Sequence, residues 1–214
     1  MIRKLLKWLL GIVGIILLAA VAIGMWAAWI YRDQSAAEVE ARWADARSRF
    51  VEIDGVRLHY RDEGEGPVVL LLHANYSSLF MWEPWVDALK DGYRVIRVDL
   101  PAHGLTGPEP QGNYTLERIQ YLIESFIDSR GLKRFTLAGT SIGGTVAMRY
   151  TADHPERVER LVLISPGSLE KRVRGRTQGA DIPKAANMIA YVAPPAFTRF
   201  MLEKAYGDPA KVSD

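Results

Sequence analysis

The sequence predicts an α/β fold, with a mostly parallel sheet covered by helices on both faces, preceded by a helix long enough to span a membrane. Three observations carry this expectation. From Trp8 to Tyr31 no residue is charged, 24 positions in a row. Beyond residue 48, short apolar runs alternate with segments of helical periodicity, as in parallel sheets built from βα units. Between one such run and the start of a helix stands Gly139-Thr140-Ser141-Ile142-Gly143. The chain has 214 residues, 49% apolar and 24% charged, which suits one domain plus an appendage. That composition excludes a disordered tail, a collagen-like fibre and a coiled coil.

The uncharged run would be a helix about 36 Å long, enough to cross a hydrocarbon core of roughly 30 Å. Trp8, Trp26, Trp29 and Tyr31 lie near its ends, where amphipathic rings favour the headgroup region. A cleaved signal peptide is the rival, since Ala20-Val21-Ala22 offers a small-x-small site. The apolar run continues well past that site, which favours an uncleaved anchor over residues 1–31. Arg3, Lys4 and Lys7 precede the span, so the expected topology is a single pass with the N-terminus cytoplasmic. The domain that follows would be extracytoplasmic, periplasmic in a bacterium.

Residues 32–48 are rich in Ala, Glu and Arg without Gly or Pro, and predict a helical stalk. Phe50–Ile53 and Val56–Tyr60 alternate across Asp54-Gly55, a β-hairpin signal that puts His59 on the solvent side. Val68–Leu72 is apolar throughout, as expected of a strand buried on both faces. Tyr93–Asp99 and Phe135–Ala138 follow as strands. Between them Leu116, Ile119, Leu122, Ile123, Phe126 and Ile127 keep helical spacing, with Gly131 placed to cap the helix. Ile142–Asp153 is a further helix, stopped by Pro155, and Leu161–Ile164 a sixth strand. The α/β core would thus cover residues 49–167, and residues 168–214 would begin a cap or lid.

Charge and composition narrow the chemistry. The net charge is +2 overall, but residues 1–31 hold three cations and no acid, leaving the remainder at −1. A near-neutral domain gives no electrostatic case for nucleic acid. No cysteine is present, and His59, His73, His103 and His154 are not at ligand spacing, so neither a thiolate nucleophile nor a metal site is expected.

Gly139–Gly143 matches G-x-S-x-G in the strand–turn–helix setting that this motif requires. The turn is so sharp that a Cβ at either glycine would clash. It lifts Ser141 above the sheet edge beside the free N–H groups of a helix N-terminus. The plain alternative is a helix-capping serine.

With these residues the chain resembles the α/β-hydrolase superfamily, in its cap-bearing esterase, peptidase and carbon–carbon hydrolase branch. Leu70–Asn75 is similar to that family's strand into His-Gly and the oxyanion loop. Asp99–Gly104 resembles its Asp-x-Pro-Gly-x-Gly turn, and Asp153–Val158 its exit from the nucleophile helix. The resemblance implies Ser141 as nucleophile within the elbow glycines Gly139 and Gly143. It also implies the backbone N–H groups of Ile142 and Asn75 as oxyanion donors. Ala74 and Ala102 depart from the pattern, each standing where the family usually has glycine.

A serine needs a base, and the base an orienting acid. His154 alone follows Ser141, about 18 Å away along the same helix. His73 and His103 look structural by the family parallel, and Asp181 and Asp208 lie in the cap-like stretch without a motif. The expectation is that this chain is the N-terminal part of a longer enzyme, with the acid and histidine beyond Asp214. The implied activity is cleavage of an ester or related acyl bond in a small, hydrophobic substrate, with no cofactor. Amide, carbon–carbon or cofactor-free peroxidative chemistry on the same elbow, or a non-catalytic binding protein, are the alternatives. The cations of residues 171–176 predict a solvated loop or a contact with anionic lipid. Met188, Tyr191, Pro194, Pro195, Phe197, Phe200 and Met201 predict an apolar patch, packed in the core or lining the pocket.

Overall fold

A computed structural model describes residues 2–30, 32 and 34–167. These fall into two units, one holding the N-terminal helix and the other running from Ser35 through the sheet. The N-terminal helix, α1 (Ile2–Ile30), contains the stretch Lys7–Ile30, long and apolar enough by length and composition to cross a membrane. Predicted features within residues 168–214 lie outside the described residues.

The second unit opens with α2 (Ala36–Trp43), shorter than the predicted stalk helix. Its start is set by a capping box: Ser35 accepts from the Glu38 N–H, and the Glu38 carboxylate accepts from the Ser35 N–H at 2.8 Å. It ends where Ala44 turns extended. Six strands follow: β1 (Arg49–Ile53), β2 (Val56–Glu63), β3 (Val68–Leu72), β4 (Arg94–Val98), β5 (Phe135–Ser141) and β6 (Val158–Pro166). A 3-10 turn (Leu79–Trp82) leads into α3 (Glu83–Leu89), an element with too few periodic positions to register in the sequence. α4 (Leu116–Ser129) and α5 (Ile142–Asp153) stand where periodicity put them.

The sheet order is β1-β2-β4-β3-β5-β6. β2 is antiparallel to both neighbours, whereas β4, β3, β5 and β6 run parallel. The predicted α/β architecture, mostly parallel with helices on both faces, is therefore what forms. Period-two alternation sorts the side chains between layers. Leu70, Leu72, Ile96, Val98 and Leu137 pack under α4 and α5 with Phe126 and Tyr150. Val69, Leu71, Val95 and Ala138 face the other way, onto Trp82 and Val86. The unbroken apolar run of β3 thus serves two cores at once.

β2 departs from expectation. Val56, Leu58 and Tyr60 point into the α4/α5 core, as alternation predicts. The opposite face was expected to meet solvent, yet His59 and Arg61 are buried. β2 is an interior strand, and this face is covered by α2, the 3-10 turn and the loop after β4. Polar residues there are matched by charge. Arg57 meets Glu40 of α2 at 2.7 and 3.0 Å, and Arg61 meets Asp45 and Glu83, both at 3.0 Å. Arg97 of β4 meets Glu63 at 2.7 Å and Glu83 at 3.1 Å. Hydrogen bonding from Arg47 is the main cause holding the Asp45 carboxyl down at about 2. Burial, then repulsion from Arg47, lowers Arg61.

These two kinds of packing differ in weight. Leu70 is fully buried, so Leu70→Ala should cost about 2–5 kcal/mol in urea unfolding. Glu40 and Arg57 are partly solvated, and Glu40→Gln should leave the urea-unfolding midpoint close to that of the unaltered protein.

Candidate functional site

β3, β4 and β5 are parallel, with Leu72 in register with both Val98 and Gly139. Their C-terminal ends therefore share one sheet edge, and the loops leaving it meet there. β5 ends on Ser141, with φ 50° and ψ −119°, and α5 begins at the next residue, Ile142. A non-glycine residue in this region is strained by about 1–3 kcal/mol and persists only where its surroundings enforce it. Here they do. A Cβ on Gly139 would strike the Gly143 carbonyl and come within 2.7 Å of the Gly144 nitrogen. A Cβ on Gly143 would lie 2.5 Å from the carbonyl oxygens of both Leu72 and His73. Both elbow glycines are thus required by backbone lying on backbone.

Although it stands at the N-cap position, Ser141 makes no side-chain bond to α5. Its carbonyl is the engaged group, accepting from the Gly167 N–H at 3.1 Å and the Thr145 hydroxyl at 3.3 Å. A capping serine would have a β-region backbone and a committed hydroxyl, and Ser141 has neither. Ile142 opens the helix, where backbone N–H groups lack intrahelical acceptors.

Asn75 lies exposed in the loop after β3, which the Gly143 contact brings against the elbow. Its side-chain amide meets Nε2 of His103 at 2.8 Å. The other ring nitrogen, Nδ1, donates to the Pro101 carbonyl at 2.9 Å. The two candidate alanines behave differently. Ala102 has φ 58°, the left-handed region in which a Cβ costs about 1–2 kcal/mol, whereas Ala74 is not among the positive-φ residues.

The family parallel made His73 structural, but the partners that anchor the loop were not foreseen. His73 is buried; its Nε2 accepts from the Leu100 N–H at 2.9 Å, so its Nδ1–H donates to the Ala74 carbonyl at 2.7 Å. Burial is the main cause lowering its pKa. At the loop's far end the Leu79 N–H donates to Asp99 at 2.7 Å, and the Leu79 carbonyl accepts from Arg97 at 3.3 Å. The buried Asp99 carboxylate also accepts from His59 Nδ1–H at 2.7 Å and the Leu105 N–H at 2.9 Å. Nε2 of His59 makes no hydrogen bond among the described residues. The Asp99–Gly104 motif carried the signal for this turn, but its partner, forty residues earlier, carried none.

No described histidine is placed as a free base for Ser141. His59 and His73 are buried and committed, and both nitrogens of His103 are engaged. His154 caps the far end of α5, paired with Glu124 at 2.8 Å. Among the described residues no group of three or more His, Asp or Glu side chains could hold a metal. Asp181 and Asp208 lie outside them.

Two substitutions test the loop anchorage. Asp99→Asn sets an NH2 against one of three donors and should cost about 1–3 kcal/mol in urea unfolding. With the folded pKa of His73 lowered, the unfolded chain binds a proton that the folded chain refuses. Stability should be complete above about pH 6.5 and fall as pH drops toward the lowered folded value. In His73→Gln the slope just below about pH 6.5 should flatten in denaturation at stepped pH; an unchanged slope would locate the sensitivity elsewhere.

Comparison with known proteins agrees with this geometry. The family profile described as alpha/beta hydrolase fold matches residues 67–205. The dihydrolipoyllysine-residue acetyltransferase component of the acetoin cleaving system from Cupriavidus necator is 35% identical over 138 residues, covering 64% of this chain and 37% of that protein. The cis-3-alkyl-4-alkyloxetan-2-one decarboxylase of Shewanella oneidensis is 36% identical over 125 residues, 57% of this chain and 39% of the relative. Wild-type Cfl2 from Burkholderia cenocepacia superposes with a TM-score of 0.67 at 26% identity, covering 79% of this chain and 64% of that one. The chain spans about two fifths of the length of the curated relatives it matches. Family profile, strand order and elbow agree, and the chain belongs to the α/β-hydrolase family.

Proposed function

We propose that this protein is a membrane-anchored serine hydrolase that cleaves an ester or related acyl bond through an acyl-enzyme on Ser141. The observation that carries the reading is the backbone of Ser141, held at positive φ with its hydroxyl uncommitted to the helix it precedes. Such a hydroxyl is presented for reaction.

In this mechanism Ser141 Oγ attacks the substrate carbonyl carbon, and the carbonyl π electrons move onto oxygen. The backbone N–H groups of Ile142 and Asn75 would receive that charge, each donor contributing about 2.7–4 kcal/mol in comparable sites. Collapse expels the alcohol, which takes up the proton lost from the Ser141 hydroxyl, and water then cleaves the acyl-enzyme to the carboxylic acid and free Ser141. No described residue supplies the base for the first step. The Shewanella relative is named a decarboxylase of an oxetan-2-one, itself an internal ester, so the link to acyl compounds lies in its substrate and not in its reaction. The span Lys7–Ile30 supports anchoring, and the cations Arg3, Lys4 and Lys7 before it support a domain outside the cytoplasm.

A fluorophosphonate probe, which phosphonylates activated serines, tests the nucleophile. The natural full-length protein should be labelled, and Ser141→Ala should reduce labelling by about a hundredfold or more. Labelling that survives the substitution, or none in the wild type, would remove Ser141 from this role.

A further inference from the structure

Between α2 and the loops that follow β3 and β4 lies a groove of about 320 Å³, lined by Val39, Trp43, Ser78, Phe80, Gly104 and Leu105. That volume is at the lower end of the roughly 300–1,000 Å³ usual for small-molecule sites. Among the described residues no charged side chain lines it. The polar side chain there, Ser78, is already occupied as the cap of the 3-10 turn, accepting from the Phe80 N–H at 3.4 Å. Water would find almost no hydrogen-bond partner there. Trp43 keeps 50% of its surface open although its ring lies 6.0 Å from that of Phe80. Beside it the Arg42 guanidinium sits 5.4 Å over the Trp43 ring, with no ion pair among the described residues.

An apolar groove with the Arg42 cation beside it is complementary to a hydrocarbon chain bearing an anionic head. A protein segment would bring backbone N–H and C=O groups, which these walls could not satisfy. The source of such a chain follows from connectivity. Only five residues lie between Ile30 and Ala36, so the chain tethers the domain closely to whatever bilayer α1 enters.

We propose that this groove holds one acyl chain of a membrane phospholipid, with Arg42 meeting the headgroup phosphate. The proposal rests on the membrane reading of α1 made above and names a phospholipid as the class of molecule the domain draws from the bilayer. An Arg guanidinium suits a phosphate, which it can bind through two parallel N–H donors.

Photolabelling separates the possibilities. Full-length protein carrying Ser141→Ala, so that binding is read without turnover, is reconstituted in phosphatidylcholine vesicles. These contain a phosphatidylglycerol with a diazirine at its acyl terminus, and labelled peptides are mapped by mass spectrometry. Label should fall on residues 36–43 and 78–82 as well as on α1. Val39→Glu, which places a charge in the slot, should lower the groove label by about fivefold or more and leave the α1 label unchanged. Val39→Ala keeps the walls apolar and should retain it. Label confined to α1, or groove label indifferent to Val39→Glu, would overturn the proposal with anchoring intact. Label on neither would overturn both.

Discussion

The Asp99 carboxylate is the constraint around which the site edge is organised. A buried anion is tolerated only if donors replace its lost hydration, and Asp99 takes three from separate segments: His59 of β2, Leu79 after the β3 loop and Leu105 after β4. Each donor fixes the segment that carries it. Gly104 has φ 54°, and a Cβ there would collide with the carboxylate, so the turn closes over Asp99 without a side chain. Through Leu79 the same group sets the far end of the loop that holds Asn75, while His73 sets the near end. The region proposed to receive an oxyanion is thus held at both ends by buried polar bonds.

β2 divides the domain into two regimes. Its apolar face joins an ordinary core, and its polar face joins a lattice of Arg57, Arg61, Arg97, Glu40, Asp45, Glu63 and Glu83. Desolvating such pairs offsets much of their attraction, so little net stability follows from them. What they impose is placement. Moving Asp45 or Glu83 away would leave the buried Arg61 with only one of its two counter-charges, so the segment after α2 and the start of α3 are confined to their present positions.

Much of this was legible in the sequence because its signals are short-range. The hairpin at Asp54-Gly55, the doubly buried run Val68–Leu72, the periodicity of α4 and the elbow around Ser141 each show within a dozen residues. The Asp99–His59 bond, by contrast, exists because β2 and β4 become neighbours across forty residues. Alternation correctly assigned His59 to the face opposite Leu58 and Tyr60. It could not disclose that α2 and two loops cover that face, since covering is a property of topology. The 3-10 turn and α3 were missed for another reason: seven helical residues containing Pro84 and Trp85 offer hardly two turns of pattern. Ala102 lies between these cases. Its departure from the family's glycine was visible, and only the backbone reveals that it adopts the glycine conformation whereas Ala74 does not.

The elbow's backbone contacts have a consequence for how this edge can adapt. Because the Gly143 Cα rests on the carbonyls of Leu72 and His73, Ser141 and the end of β3 behave as one stiff body. Displacing one from the other would tear ladder bonds in the middle of the sheet. Reagents of different size cannot be accommodated by a yielding serine. The anvil is immovable, and any tolerance of shape must come from the parts that close over it.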